Sequence, residues 1–118
     1  MRKSLLYVGG FLLVISFALL LPPRGLSEGE NGSAAKGQKL FQQDCNMCHY
    51  PDKTEKKIGP GLKGLFKNKV LPMSKKPVTV ANVRHQIESG SPTKGMPAFG
   101  SKLKPADVAD LIAYLKTL

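Results

Sequence analysis

Three stretches of the chain repeat apolar residues at helical spacing. In the first, from Ala34 to Cys45, Gly37, Leu40 and Phe41 fall on one face at i, i+3 and i+4. Ser33 stands just ahead of it and suits the N-cap. The second runs from Thr79 to Ser89, with Val80, Val83 and Ile87 directed inward. Thr79 is its expected N-cap, and Gly90 is placed to end it. The third runs from Pro105 to Lys116. Proline suits its first position, and Val108, Leu111, Ile112, Tyr114, Leu115 and Leu118 form a wide apolar stripe. No alternating strand pattern competes with these helices, so an all-α domain is expected.

The segment between the first two helices, from Tyr50 to Pro77, is rich in Lys, Gly and Pro. It offers only a short helix around Lys63–Asn68. A loop of that length normally counts against a compact domain. It becomes reasonable if the loop wraps a large apolar guest.

The N-terminus reads differently. Arg2 and Lys3 precede an apolar run from Leu5 to Leu21, followed by Pro22 and Pro23. The run is 17 residues long, and lies between a signal-peptide core of about 7–15 residues and a spanning helix of about 17–25. A small-x-small site, Gly25-Leu26-Ser27, could be cleaved. Both a removed signal and a retained anchor are open over residues 1–26. Either way Arg2 and Lys3 stay on the cytoplasmic side and the rest is exported. Residues 27–33 are a polar linker, and residues 34–118 are the domain. So small a domain needs help to stabilise its core.

The 118-residue chain has a formal charge of +10. Without Arg2, Lys3 and Arg24, 15 bases face 8 acids, leaving +7. A basic surface suits an acidic protein partner or anionic lipid. Nucleic acid is not expected, because no aromatic-and-basic recognition motif accompanies the charge.

The chain's two cysteines lie in Cys45-Asn46-Met47-Cys48-His49. A disulfide between them would constrain little of the chain. A four-cysteine zinc site is excluded, while a redox dithiol or half of a metal site remains open. C-x-x-C-H is also the pattern of c-type haem attachment. Two thiols at that spacing can reach the two vinyl groups of a porphyrin, and the adjacent histidine can reach the iron.

A second axial ligand would come from the methionines or His85. Met1 is in the leader, and Met47 lies inside the attachment loop. Met96 is favoured over Met73: Gly95 permits close approach and Pro97 stiffens the chain behind the sulfur. His85, in the middle of a helix, is the weaker alternative.

With these motifs in order, the stretch from Ala34 to Leu118 resembles the class I cytochrome c family. Gly37 and Phe41 match the family's helix glycine and aromatic, and Cys45, Cys48 and His49 its haem motif. Gly59-Pro60-Gly61-Leu62 is similar to the family's Gly-Pro-x-Leu, with Lys63-Gly64-Leu65-Phe66 continuing the likeness. Gly95-Met96-Pro97-Ala98-Phe99 resembles its methionine loop, and Leu111 and Tyr114 its last helix. The resemblance implies an all-α cytochrome c-like fold, three main helices with long loops wrapped around one covalent haem c. It implies His49 and Met96 as iron ligands and the Pro60 carbonyl as acceptor for His49 Nδ1. Lys104 departs from the family's usual Ser, Thr or Asp before the last helix, and a frayed start is expected there.

The implied role is single-electron carriage rather than enzymatic catalysis, in the periplasm or on the outer face of the cytoplasmic membrane. The protein would be a monomer, with membrane attachment possible through residues 5–21. A dedicated subunit or electron acceptor of one dehydrogenase or oxidase is the alternative. A haem sensor or peroxidase would need an open iron position. Lys75, Lys76 and Lys94 are the expected basic residues near the haem edge, facing acidic docking patches on redox partners.

Overall fold

The structure is a computed structural model and describes residues 31–118; the expected leader, residues 1–26, lies outside the described residues. Helix α1 spans Ala34–Asp44, α2 Val80–Ser89 and α3 Pro105–Leu115. Single 3-10 turns occupy Leu65–Lys67 and Pro92–Lys94. The described residues contain no strand, only isolated bridges pairing Val70 with Pro77 and Ser91 with Met96.

Helix α1 starts where expected. Ser33 Oγ accepts the Lys36 N–H at 3.4 Å. The Ser33 N–H donates to Asp110 Oδ1 on α3, so the last residues of the expected linker are already packed on the domain. The helix ends one residue earlier than expected, with Cys45 capping it through its N–H to the Phe41 carbonyl at 2.8 Å. Helix α2 carries the expected caps. Thr79 Oγ1 accepts the Asn82 N–H at 3.1 Å, and Gly90 leaves the helix at φ 63°.

The start of α3 corrects the expectation of fraying. Lysine has no acceptor to offer. Instead the Asp107 carboxylate, three residues inside, accepts the Lys104 N–H at 2.9 Å. Pro105 occupies the first turn, where its missing N–H costs nothing. A carboxylate there also faces the positive end of the helix.

The core sits where α1 crosses α3. Phe41, Val108 and Leu111 are the most deeply buried side chains, each worth about 1.5–3 kcal/mol in apolar burial. The crossing is close because Gly37 has no side chain: a Cβ there would lie 1.9 Å from the Asp110 carbonyl oxygen. Beside it the rings of Phe41 and Tyr114 pack at 5.4 Å between centroids, tilted by 58°. Helix α2 adds Val83 and Ile87, and the long loop adds Leu65 and Leu71. The loop is not loose: the Leu62 N–H donates to the Tyr50 carbonyl at 2.8 Å and the Val78 N–H to the Lys69 carbonyl at 3.1 Å.

Candidate functional site

Where α1 stops, the backbone keeps turning. The N–H groups of Cys48 and His49 both donate to the Cys45 carbonyl, at 3.0 and 2.9 Å. That tight turn presents the two cysteines and the histidine to one cavity of about 560 Å³. Cys45, Cys48, His49 and Met96 all line it. The expected site residues are therefore brought together, from the end of α1, the long loop and the segment after α2.

His49 is held from two sides. Its Nδ1 lies 2.8 Å from the Pro60 carbonyl oxygen. Only a nitrogen bearing hydrogen can donate to a carbonyl, so the neutral ring carries its proton on Nδ1 and its lone pair on Nε2. On the other side Gly59 lies against the imidazole. A Cβ at Gly59 would come within 2.5 Å of Cε1 and 2.9 Å of Nδ1. The Gly59 N–H also donates to the Cys48 carbonyl at 2.8 Å, tying this loop to the turn that carries the cysteines. Lys57 adds a second tie, its Nζ donating to the Asn46 carbonyl at 2.6 Å.

Burial, the largest cause, together with the charge of Asp44, pushes the Cys45 thiol up to about 11. At neutral pH the unliganded side chain is a protonated thiol. The two cysteines are not joined to each other.

Met96 sits in a closed loop. The Ser91 N–H donates to the Met96 carbonyl at 2.9 Å and the Met96 N–H to the Ser91 carbonyl at 3.2 Å. Gly95 turns the loop at φ 85°, with no atom near its Cα substituent position. Met73 also borders the cavity, from a second turn in which Lys75 takes a left-handed φ of 60°. The two turns are linked by Lys94, whose Nζ donates to the Met73 carbonyl at 3.2 Å. His85 is exposed on α2 and is not among the cavity residues. Of the three lysines expected beside the site, Lys94 borders the cavity while Lys75 and Lys76 do not; Lys56 and Lys102 do. Lys102 is also paired with Asp44.

Two features escaped the sequence reading. One is the steric role of Gly59, hidden because the Gly-Pro pair reads first as a turn. The other is Gln86, which borders the cavity from α2. A polar residue three positions after the inward Val83 was the available signal.

The cavity fits a large apolar guest. Its walls include Phe41, Leu65, Leu71, Val83, Ile87 and Leu111. Among the described residues no polar side chain is fully buried, so the deep walls offer contact rather than hydrogen bonds. The volume is that of a cofactor site. Two thiols at the rim and one imidazole with a free lone pair match a covalently held haem.

Comparison with known proteins agrees. The family model described as cytochrome c matches residues 34–118. Cytochrome c of Cochliobolus lunatus is 38% identical over 101 residues, covering 74% of this chain and 94% of its own. A cytochrome c-553-like protein of Synechocystis sp. is 34% identical over 87 residues, covering 74% of this chain and 70% of its own. The solved structure of cytochrome c6 from the diatom Phaeodactylum tricornutum shares the fold, with a TM-score of 0.57 at 24% identity. That match covers 73% of this chain and 93% of the diatom protein. The chain belongs to the cytochrome c family: it is an all-α, mono-haem electron carrier with one covalent haem c and redox proteins as partners, and it is not an enzyme.

Proposed function

We propose that the protein carries single electrons outside the cytoplasm, with His49 and Met96 as the two axial ligands and thioether bonds at Cys45 and Cys48. The observation that carries this reading is the single cavity shared by all four side chains. When bound, the haem supplies an iron that exchanges one electron without making or breaking bonds in a substrate.

The chain's own residues do the rest. Pro60 holds the Nδ1 proton of His49 and so keeps the Nε2 lone pair available. A neutral thioether at Met96 favours the reduced state over the oxidised one and raises the potential. The apolar walls act in the same direction by excluding water. With both axial positions filled, small molecules have no open site, which disfavours sensing and peroxidase chemistry.

The domain responsible is residues 34–118, preceded by the polar linker 27–33 and the apolar leader in 1–26. Arg2 and Lys3 ahead of the run Leu5–Leu21 support export, to the periplasm or the outer membrane face. The protein works as a monomer, and a retained leader would attach it to the membrane. Its partners present acidic patches to the lysines at the cavity rim, Lys56 and Lys94 among them.

Two experiments test this. The intact mass of the native protein reports the haem and the leader together; a mass without haem after denaturation would overturn the thioether assignment. Met96→Ala should abolish the weak far-red sulfur-to-iron band of the ferric form and lower the potential, while Met73→Ala should leave both nearly unchanged. Since both methionines border the cavity, the reverse result would transfer the ligand role to Met73.

A further inference from the structure

Asp44 is the last residue of α1, where the negative end of the helix dipole opposes a carboxylate. Its side chain is nearly buried, only 12% exposed, and it borders the cavity beside Cys45. The lysines that line the same cavity are Lys56, Lys94 and Lys102. Among the described residues Asp44 is thus the one acid on a basic rim, in a place that its own helix makes unfavourable.

Compensation comes from Lys102, whose Nζ donates to Asp44 Oδ1. Lys102 is set by the turn that follows the Met96 loop. Its N–H donates to the Phe99 carbonyl at 3.0 Å, and the Phe99 N–H donates to the Ile87 carbonyl on α2 at 3.1 Å. The ammonium also lies 5.9 Å from the centre of the Phe99 ring. The two charges are unequally placed. The Lys102 side chain is 60% exposed, so water and salt weaken its field. The carboxylate borders apolar walls, where a charge is felt more strongly. The Cys45 thiol registers the imbalance. Burial is the largest cause of its rise; Asp44 comes next and adds to it, ahead of Lys102, which opposes it. Seen from the cavity, the pair is net negative.

We propose that Asp44 lowers the reduction potential of the haem held in this cavity, and that Lys102 is the counter-charge that limits the effect. The inference rests on the haem occupying the cavity, and not on which side chain supplies its second axial ligand. Oxidation removes one electron and leaves the centre one unit more positive. A fixed carboxylate beside it stabilises that form, and an ammonium destabilises it. Asp44 therefore works against the apolar walls, which favour the reduced form. Lys102 acts through Asp44, as a positioning residue and a partial screen.

The sign of the effect separates this role from that of a mechanical clasp. The pair also joins the end of α1 to the segment before α3. Cutting that tie from either side loosens the same wall and admits water in the same way, so a clasp alone moves the potential in one direction. Charge moves it in opposite directions.

The test is the midpoint potential of the purified holoprotein, measured by spectroelectrochemical titration. Asp44→Asn should raise it, Lys102→Gln should lower it, and the double variant should fall between the two. Lys102→Arg keeps the charge and should keep the parental midpoint. Shifts of the same sign in the two single variants, or a parental midpoint in either of them, overturn the proposal, as does a lowered midpoint in Lys102→Arg. Asp44→Ser and Lys102→Met are measured beside them, so a variant that fails to fold does not remove the test. Haem retention by the denatured parent is checked first. Its loss would fail the haem reading itself, whereas retained haem with same-sign shifts fails only the role of Asp44.

Discussion

Gly59→Ala should damage the proximal side of the site by adding one methyl group. The backbone at Gly59 is not among the left-handed positions, so alanine meets no torsional objection. It meets the His49 ring. The new Cβ would lie 2.5 Å from Cε1, and ordinary contact begins at 3.4 Å, so in a close-packed setting the ring must retreat by about 0.9 Å. It cannot retreat freely, because Nδ1 is held by the Pro60 carbonyl at 2.8 Å. Overpacking of this kind costs about 1–3 kcal/mol, and loss of the hydrogen bond adds about 1 kcal/mol. For a domain of this size each kcal/mol lowers Tm by about 4–8 °C, so a fall of at least about 8 °C is expected. Gly64→Ala is the counterpart. There φ is 68° and the nearest atom is 3.8 Å away, so only backbone strain of roughly 1–2 kcal/mol applies. Thermal unfolding of the ferric holoprotein, followed by far-UV circular dichroism, compares the two. The midpoint potential of Gly59→Ala should also rise, since a ring that loses its carbonyl acceptor becomes a poorer donor. A Tm within about 2 °C of the parent would refute the claim that Gly59 is a steric backstop for His49.

Gly37→Leu should force α1 and α3 apart at the Asp110 carbonyl, lowering stability by at least about 1–3 kcal/mol; an unchanged Tm would argue against the close crossing. The second-order rate of electron transfer to a membrane oxidase or reductase should fall as salt is added, because the screening length shrinks to about 10 Å at 0.1 M. That dependence should weaken in Lys94→Glu, and a flat profile would assign the basic charge to solubility or lipid contact.

Much of this arrangement was legible in the residues because each signal had a local cause. Ser33 and Thr79 announce helix starts by side-chain chemistry that acts within three residues, and both caps are made. The Cys45–His49 spacing states its chemistry in five residues. What stayed hidden depends on distant partners. The start of α3 looked weak because Lys104 was judged alone, whereas the acceptor comes from Asp107. Gly59 reveals its role only once the long loop brings it against His49 at the cavity. The lysines show the same limit: Lys75 and Lys76 are near the site in sequence, yet Lys56, from the other end of the loop, borders it.

The pairing of α1 with α3 has a consequence for how the chain folds. Ser33 and Asp110 are hydrogen bonded across 77 residues, and Gly37 has its close approach at the same carbonyl neighbourhood. Helix α1 is the first element of the domain to be synthesised, but its principal helical partner is the last. An isolated helix of 11 residues is marginal in water. The long closure must therefore be made before α1 is stabilised, and closure entropy grows only slowly with length, about 0.6 kcal/mol for each doubling. Until α3 emerges, nothing comparable competes for Gly37 and Phe41, and the cysteine turn at the end of α1 stays accessible. The nascent domain thus remains open at its attachment residues for most of its synthesis, then closes like a clasp from its two ends.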